Sequence, residues 1–149
     1  MVRGAADSGR MSGMKTTLLA AIAVLALLAA ARSPVPSDQR VFELRTYHAP
    51  PGKLDALHAR FRDHSITLLE RHGMKVVGFW VPTDANQGSA DTLVYILAHK
   101  SRAAADASWA AFRADPEWVH VKGDSEKDGP LTTKVESVFM APTDYSPMK

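Results

Sequence analysis

The sequence predicts an α+β sandwich in which a four-stranded antiparallel sheet carries two helices on one face. Three observations point there. One short segment alternates apolar and polar residues and three more read as short strands, two longer segments repeat apolar residues at helical spacing, and the order is strand, helix, strand, strand, helix, strand. The composition, with 149 residues, 9 Gly, 9 Pro, 23% charged and 46% hydrophobic residues, suits one globular domain. The absence of Cys rules out a disulfide scaffold and any cysteine-ligated zinc or iron-sulfur site.

The first segment reads as a leader. Lys15 supplies a basic start, the run from Leu18 to Ala31 is uninterruptedly apolar, and Ala29-Ala30-Ala31 offers small residues for signal peptidase. This run of 14 residues is shorter than the roughly 20 needed to span a bilayer, so no stable membrane span is expected after cleavage near Ala31. Residues 1–13 precede a better start at Met14. The expectation is an exported protein, periplasmic or secreted. Arg32 to Arg40, with Pro34, Pro36 and Ser37, reads as a polar linker to a domain over 41–147.

Removing residues 1–31 takes away three of the 18 basic and one of the 16 acidic residues, leaving 15 of each and no net formal charge. The basic balance of the whole chain therefore belongs to the leader. A neutral body without a Lys/Arg run offers nothing to a phosphate backbone, so nucleic acid is not an expected partner.

Within the domain, Arg40 to Tyr47 alternates, with Phe42, Leu44 and Thr46 on one face and Val41, Glu43, Arg45 and Tyr47 on the other. Pro50-Pro51-Gly52 ends this strand. From Lys53 to His72, Leu54, Leu57, Phe61 and Leu68 fall on one helical stripe, and Gly73 supplies a left-handed cap. Met74 to Val81 and Thr92 to His99 read as the next two strands, joined by a polar hairpin connection. Ser101 caps a helix over 102–114 whose inner face carries Trp109 and Phe112. Asp115-Pro116 restarts a short helical turn with Trp118, a polar loop follows from Lys122, and Thr132 to Met140 is the last strand. This order is that of a ferredoxin-like βαββαβ sandwich.

Such a sandwich leaves one sheet face without a lid. That face is expected to include Val41 and Tyr47 and to be too apolar to stand bare, so a second copy packed sheet to sheet, a homodimeric α/β barrel, is its simplest cover.

The stretches VFELRTYHAPPGKL (41–54), LLERHG (68–73), VGFW (77–80), LVYIL (93–97) and WAAFRADPEW (109–118) resemble, in order and spacing, the NIPSNAP family of the dimeric α/β-barrel superfamily. The resemblance implies the fold and the dimer but no catalytic set, since the family's bacterial members have no defined role. Its superfamily relatives include cofactor-independent oxygenases and haem-binding or haem-degrading enzymes, a link by analogy only. The signal peptide and single domain set this chain apart from the animal members, so their cytosolic or mitochondrial roles do not transfer.

Glu43, Arg45 and Tyr47 alternate along one strand, with neighbours about 6.5 to 7 Å apart, and are expected to face a dimer-enclosed cavity. A buried acid and base require pairing, which leaves two readings: an ion pair orienting the dimer, or a ligand site in which Glu43 moves a proton and Arg45 holds an anion. Tyr47, Trp80 and Tyr95 are the other candidate ligand-binding residues, with the Tyr95 hydroxyl expected to reach Arg45 or Glu43 and Gly78 leaving room above the sheet. His64 interrupts the helical stripe and is the second catalytic candidate. His58 reads as an edge packer and His72 as a partner of the helix C-terminus. These three histidines include no i, i+4 pair, and nothing resembles HExxH, so no metal or resident cofactor is called for.

Three functions follow. A small-molecule site, oxygenase-like or isomerase-like, requires a cavity of about 300 Å³ or more bounded by Glu43, Arg45, Tyr47, Trp80 and Tyr95. A non-enzymatic interaction module requires a filled cavity and a satisfied Glu43-Arg45 pair. Haem binding would use His64.

Overall fold

The computed structural model describes residues 39–149; the expected leader and most of the expected linker lie outside the described residues. The elements are β1 (Val41–His48), α1 (Leu54–Arg60, a π-helical turn Phe61–Ser65 and Ile66–Arg71), β2 (Lys75–Trp80), β3 (Thr92–His99), α2 (Arg102–Ala114), α3 (Pro116–Ser125) and β4 (Lys134–Met140). The sheet order β2-β3-β1-β4, with every pairing antiparallel, is that of the ferredoxin-like sandwich.

The punctuation acts where the sequence puts it. Gly73 takes φ 78° at the end of α1. Ser101 accepts the Ala104 amide at 3.1 Å, and Asp115 accepts that of Glu117 at 2.8 Å with Pro116 in the first turn. The turn after Pro116 is a full helix running to Ser125, not a turn followed by a loop from Lys122. Glu126 anchors its end by accepting from Lys122 at 2.6 Å and from Arg60 of α1 at 2.8 Å.

Two further expectations fail, each for a physical reason. Arg60 and Phe61 follow Leu57 inward at ordinary helical spacing, and the π-helical turn then inserts one residue into α1, shifting its phase so that Ser65 turns inward while His64 is exposed. The faces of β1 are also the reverse of those expected. Glu43, Arg45 and Tyr47 lie beneath the helices, where Trp109 of α2 donates to Glu43 and the Tyr47 ring sits 5.7 Å from that of Phe61. Both alternating sets of β1 mix apolar and polar residues, so periodicity does not choose between them, and a one-residue exchange of faces moves the whole set. The core is built on this covered face from Leu57, Phe61, Leu68, Tyr95, Leu97 and Phe112.

The uncovered face instead presents Leu44 and Thr46 of β1, Val94 and Ile96 of β3, Trp80 of β2 and Val138 of β4. Trp80 and Val138 remain 51% and 54% exposed. The chain's own C-terminal segment folds over one end of the face, where Ala141, Pro142 and Met148 close a pocket of about 310 Å³ with Phe42, Val77 and Ile96. Arg40 fastens that segment by donating to the Lys149 carbonyl at 2.6 Å.

Candidate functional site

The covered face holds a buried polar chain that starts at Glu43, a residue only 1% exposed. Its oxygens accept two donors each. Arg45 Nη1 and Ser137 Oγ donate to Oε1, both at 2.6 Å, while Trp109 Nε1 and His99 Nε2 reach Oε2 at 2.7 and 3.0 Å. Burial alone would raise the carboxyl's pKa, but the donors from His99, Ser137, Trp109 and Arg45 outweigh it and lower the pKa to about 2. A carboxylate with four donors and so low a pKa is a poor proton acceptor. Glu43 is an anchor, and the proton-moving role expected of it has no free lone pair to act through.

Arg45 passes the chain onward. Its guanidinium lies 4.3 Å from the centre of the Trp109 ring, and Nη2 donates to the Tyr47 hydroxyl at 3.3 Å. Burial would lower its pKa, but Tyr95, Tyr47 and Glu43 raise it above its ordinary value. The Tyr95 hydroxyl donates to that of Tyr47 at 3.0 Å, so its partner is this tyrosine and not Arg45 or Glu43. Burial pushes the Tyr95 hydroxyl well above the ordinary phenol range.

Above the two tyrosines lies a cavity of about 160 Å³ between the sheet and the helices, lined by Tyr47, Tyr95, Phe61, Trp109, Trp118 and Arg60 among others. Phe61 and Ser65, the two ends of the π-helical turn, both line it. Arg60 is held there by Glu126 and Ser125, with its guanidinium 5.3 Å from the Trp118 ring. The cavity is smaller than expected, and of the five residues expected to bound it only Tyr47 and Tyr95 do; Glu43, Arg45 and Trp80 do not.

The structure thus brings Glu43, Arg45, Tyr47 and Tyr95 together and leaves the other candidates apart. Trp80 lies on the opposite face, its ring folded over Gly78 so closely that a Cβ there would meet it at 2.8 Å. The room expected above Gly78 is filled by that ring. His58 and Trp80 border an open pocket of about 270 Å³ beside β2. His64 lies in a groove with Asp63, His120 and Asp124, away from the sheet, so it cannot serve the cavity as base or haem ligand. His72 donates from Nε2 to Asp115 at 2.7 Å, tying α1 to the start of α3 instead of capping its own helix. Among the described residues, no three His, Cys, Asp or Glu side chains gather as a metal site would need.

Sequence reasoning missed His99, Ser137 and Arg60. His99 and Ser137 stand two positions along β3 and β4 from the residues facing Glu43, the diagonal places that long side chains reach, so strand register would have found them. Arg60 stands three residues after Leu57 and beside Phe61, so helical spacing alone would have placed it at the edge of the buried stripe.

A protein-family model described as NIPSNAP matches residues 42–147. A NIPSNAP family protein of unknown function from Agrobacterium tumefaciens is 25% identical, with TM-score 0.64 over 75% of this chain and 96% of that one. An uncharacterized NIPSNAP-like domain protein from Burkholderia xenovorans is 17% identical, with TM-score 0.64 over 74% of this chain and 90% of its own. A Streptomyces coelicolor monooxygenase in complex with nanaomycin D shares the fold at 17% identity and TM-score 0.50, over 73% of this chain and 91% of that one. No curated protein matches.

Proposed function

The chain belongs to the NIPSNAP family, and from that premise we propose that it is an exported protein that binds a small organic molecule in the aromatic cavity of each protomer. The observation that carries this reading is the cavity itself, walled by aromatic rings and floored by the Tyr47-Tyr95 hydroxyl pair. Ligand sites take this form, mostly apolar with a few placed polar groups. Its volume of about 160 Å³ suits a one-ring compound, since an apolar cavity of ~150 Å³ accepts benzene. The π-helical turn adds support, because such turns concentrate at functional sites and both of its ends line this one. The monooxygenase with nanaomycin D offers an analogy of fold and no residue to transfer. Export rests on the leader over residues 14–31.

Toluene is expected to bind saturably at submillimolar concentration in calorimetry. Thr132→Phe, which adds a ring at the cavity wall, abolishes the binding, and Val138→Lys on the opposite face leaves it intact. No saturable binding, or binding indifferent to Thr132→Phe, would overturn the reading.

A non-enzymatic interaction module is the second reading, favoured by the fully occupied Glu43 carboxylate. In either case the half-exposed apolar strip of Leu44, Trp80, Val94, Ile96 and Val138 suits a second copy packed face to face. Sedimentation velocity of the exported chain is expected to give a dimer, and Val138→Lys a protomer; a wild-type protomer at micromolar concentration would remove the dimer without touching the cavity.

A further inference from the structure

Hydrogen bonds in the cavity floor leave one proton over. The Tyr47 and Tyr95 hydroxyls bring two protons, and the 3.0 Å bond between them uses one. Arg45, the other polar partner of Tyr47, is a donor only and takes none. Among the described residues, no carboxylate, carbonyl or imidazole accepts from either tyrosine. The Tyr95 residue is 1% exposed, whereas Tyr47 is half-buried at the cavity wall, so the unclaimed O–H is that of Tyr47. A hydroxyl donor drawn out of water without an acceptor is costly, and Tyr47 lines the cavity in which a ligand would lie.

We propose that the ligand carries a carbonyl or anionic oxygen on a small planar body, and that this oxygen accepts the Tyr47 hydroxyl proton. The assignment rests on the cavity reading above and adds the ligand's chemical class. A cation donating to the Tyr47 oxygen polarises that hydroxyl and strengthens the bond it gives in turn. Arg45 is therefore a positioning residue that acts through Tyr47, and Glu43 holds it in place at 2.6 Å. A ketone fits by its lone pairs, and an enolate or phenolate fits better because its oxygen carries charge. An apolar compound of the same shape fills the cavity and leaves the proton unclaimed. Trp109, Trp118 and Phe61 supply the flat walls that either ring would meet.

Acetophenone and α-methylstyrene differ in one position, an oxygen against a methylene. Calorimetry with the wild-type chain is expected to give acetophenone at least tenfold tighter binding. Tyr95→Phe keeps that preference, since Tyr47 remains the donor. Tyr47→Phe combined with Tyr95→Phe reduces it to within about twofold and leaves α-methylstyrene affinity unchanged, which shows that the cavity survives. Arg45→Met in the wild-type background narrows the preference without removing it. Equal binding of the two probes by the wild-type chain, or a preference that persists in the double variant, would overturn the assignment while toluene binding still upheld the cavity. Failure of all three probes would remove the cavity and the assignment with it.

Discussion

Glu43→Ala is expected to lower the unfolding free energy by about 3–5 kcal/mol, the cost of leaving a buried charge without its partner. The carboxylate pairs with Arg45, itself 15% exposed, and accepts from His99, Trp109 and Ser137. Its removal orphans four donors at once. Against a total stability of about 5–15 kcal/mol, that is a large share. Urea unfolding of the two proteins measures it, and a loss below about 1 kcal/mol would show that the network contributes little to the fold. Replacing both charges with apolar side chains, as in Glu43→Leu with Arg45→Met, is expected to cost less than Glu43→Ala, because no unpaired cation remains.

Acid is expected to reach the same group. Glu43 has a folded-state pKa of about 2 against an ordinary 4.5, because the donors around it more than offset its burial. A depressed carboxyl pKa stabilises the fold above the unfolded value. That contribution is complete above pH ~4.5 and is lost as the pH falls through about 2, and the difference is worth roughly 3 kcal/mol. Urea midpoints recorded between pH 5 and 2 should fall steeply for the wild-type chain. Glu43→Gln, with no proton to gain, should start lower and fall less over the same range. Parallel profiles would assign the acid sensitivity to other carboxylates.

Much of the framework is legible from local chemistry. The strand and helix order, the Ser101 and Asp115-Pro116 caps, the Gly73 turn and the Glu43-Arg45 pair each follow from neighbouring residues, and each is present. What sequence reasoning loses depends on contacts between elements. The faces of β1 are decided by which side the aromatic residues of α1 and α2 cover, and both sides of the strand hold apolar residues. In the sequence reading Glu43 falls on the uncovered side, buried against a second copy and not against the chain's own helices. Four donors from β1, β3, β4 and α2 make its burial beneath those helices tolerable, and none of the other three elements is local to it. A regular helical repeat through Phe61–Ser65 would turn His64 toward the sheet, but there the backbone takes one residue more per turn. Trp80 was drawn into the site by its aromatic character alone, although it shares a face with Gly78 and not with Tyr95.

The proposed ligand cavity lies inside the domain, between the sheet and its helices, and ends at Tyr47. A crystal structure of the protein grown with acetophenone tests this most directly. The expected result is the ring between Phe61 and Trp109 with its oxygen within hydrogen-bond distance of Tyr47 Oη. Density for the compound only on the opposite face, beside Phe42 and Met148, would contradict it.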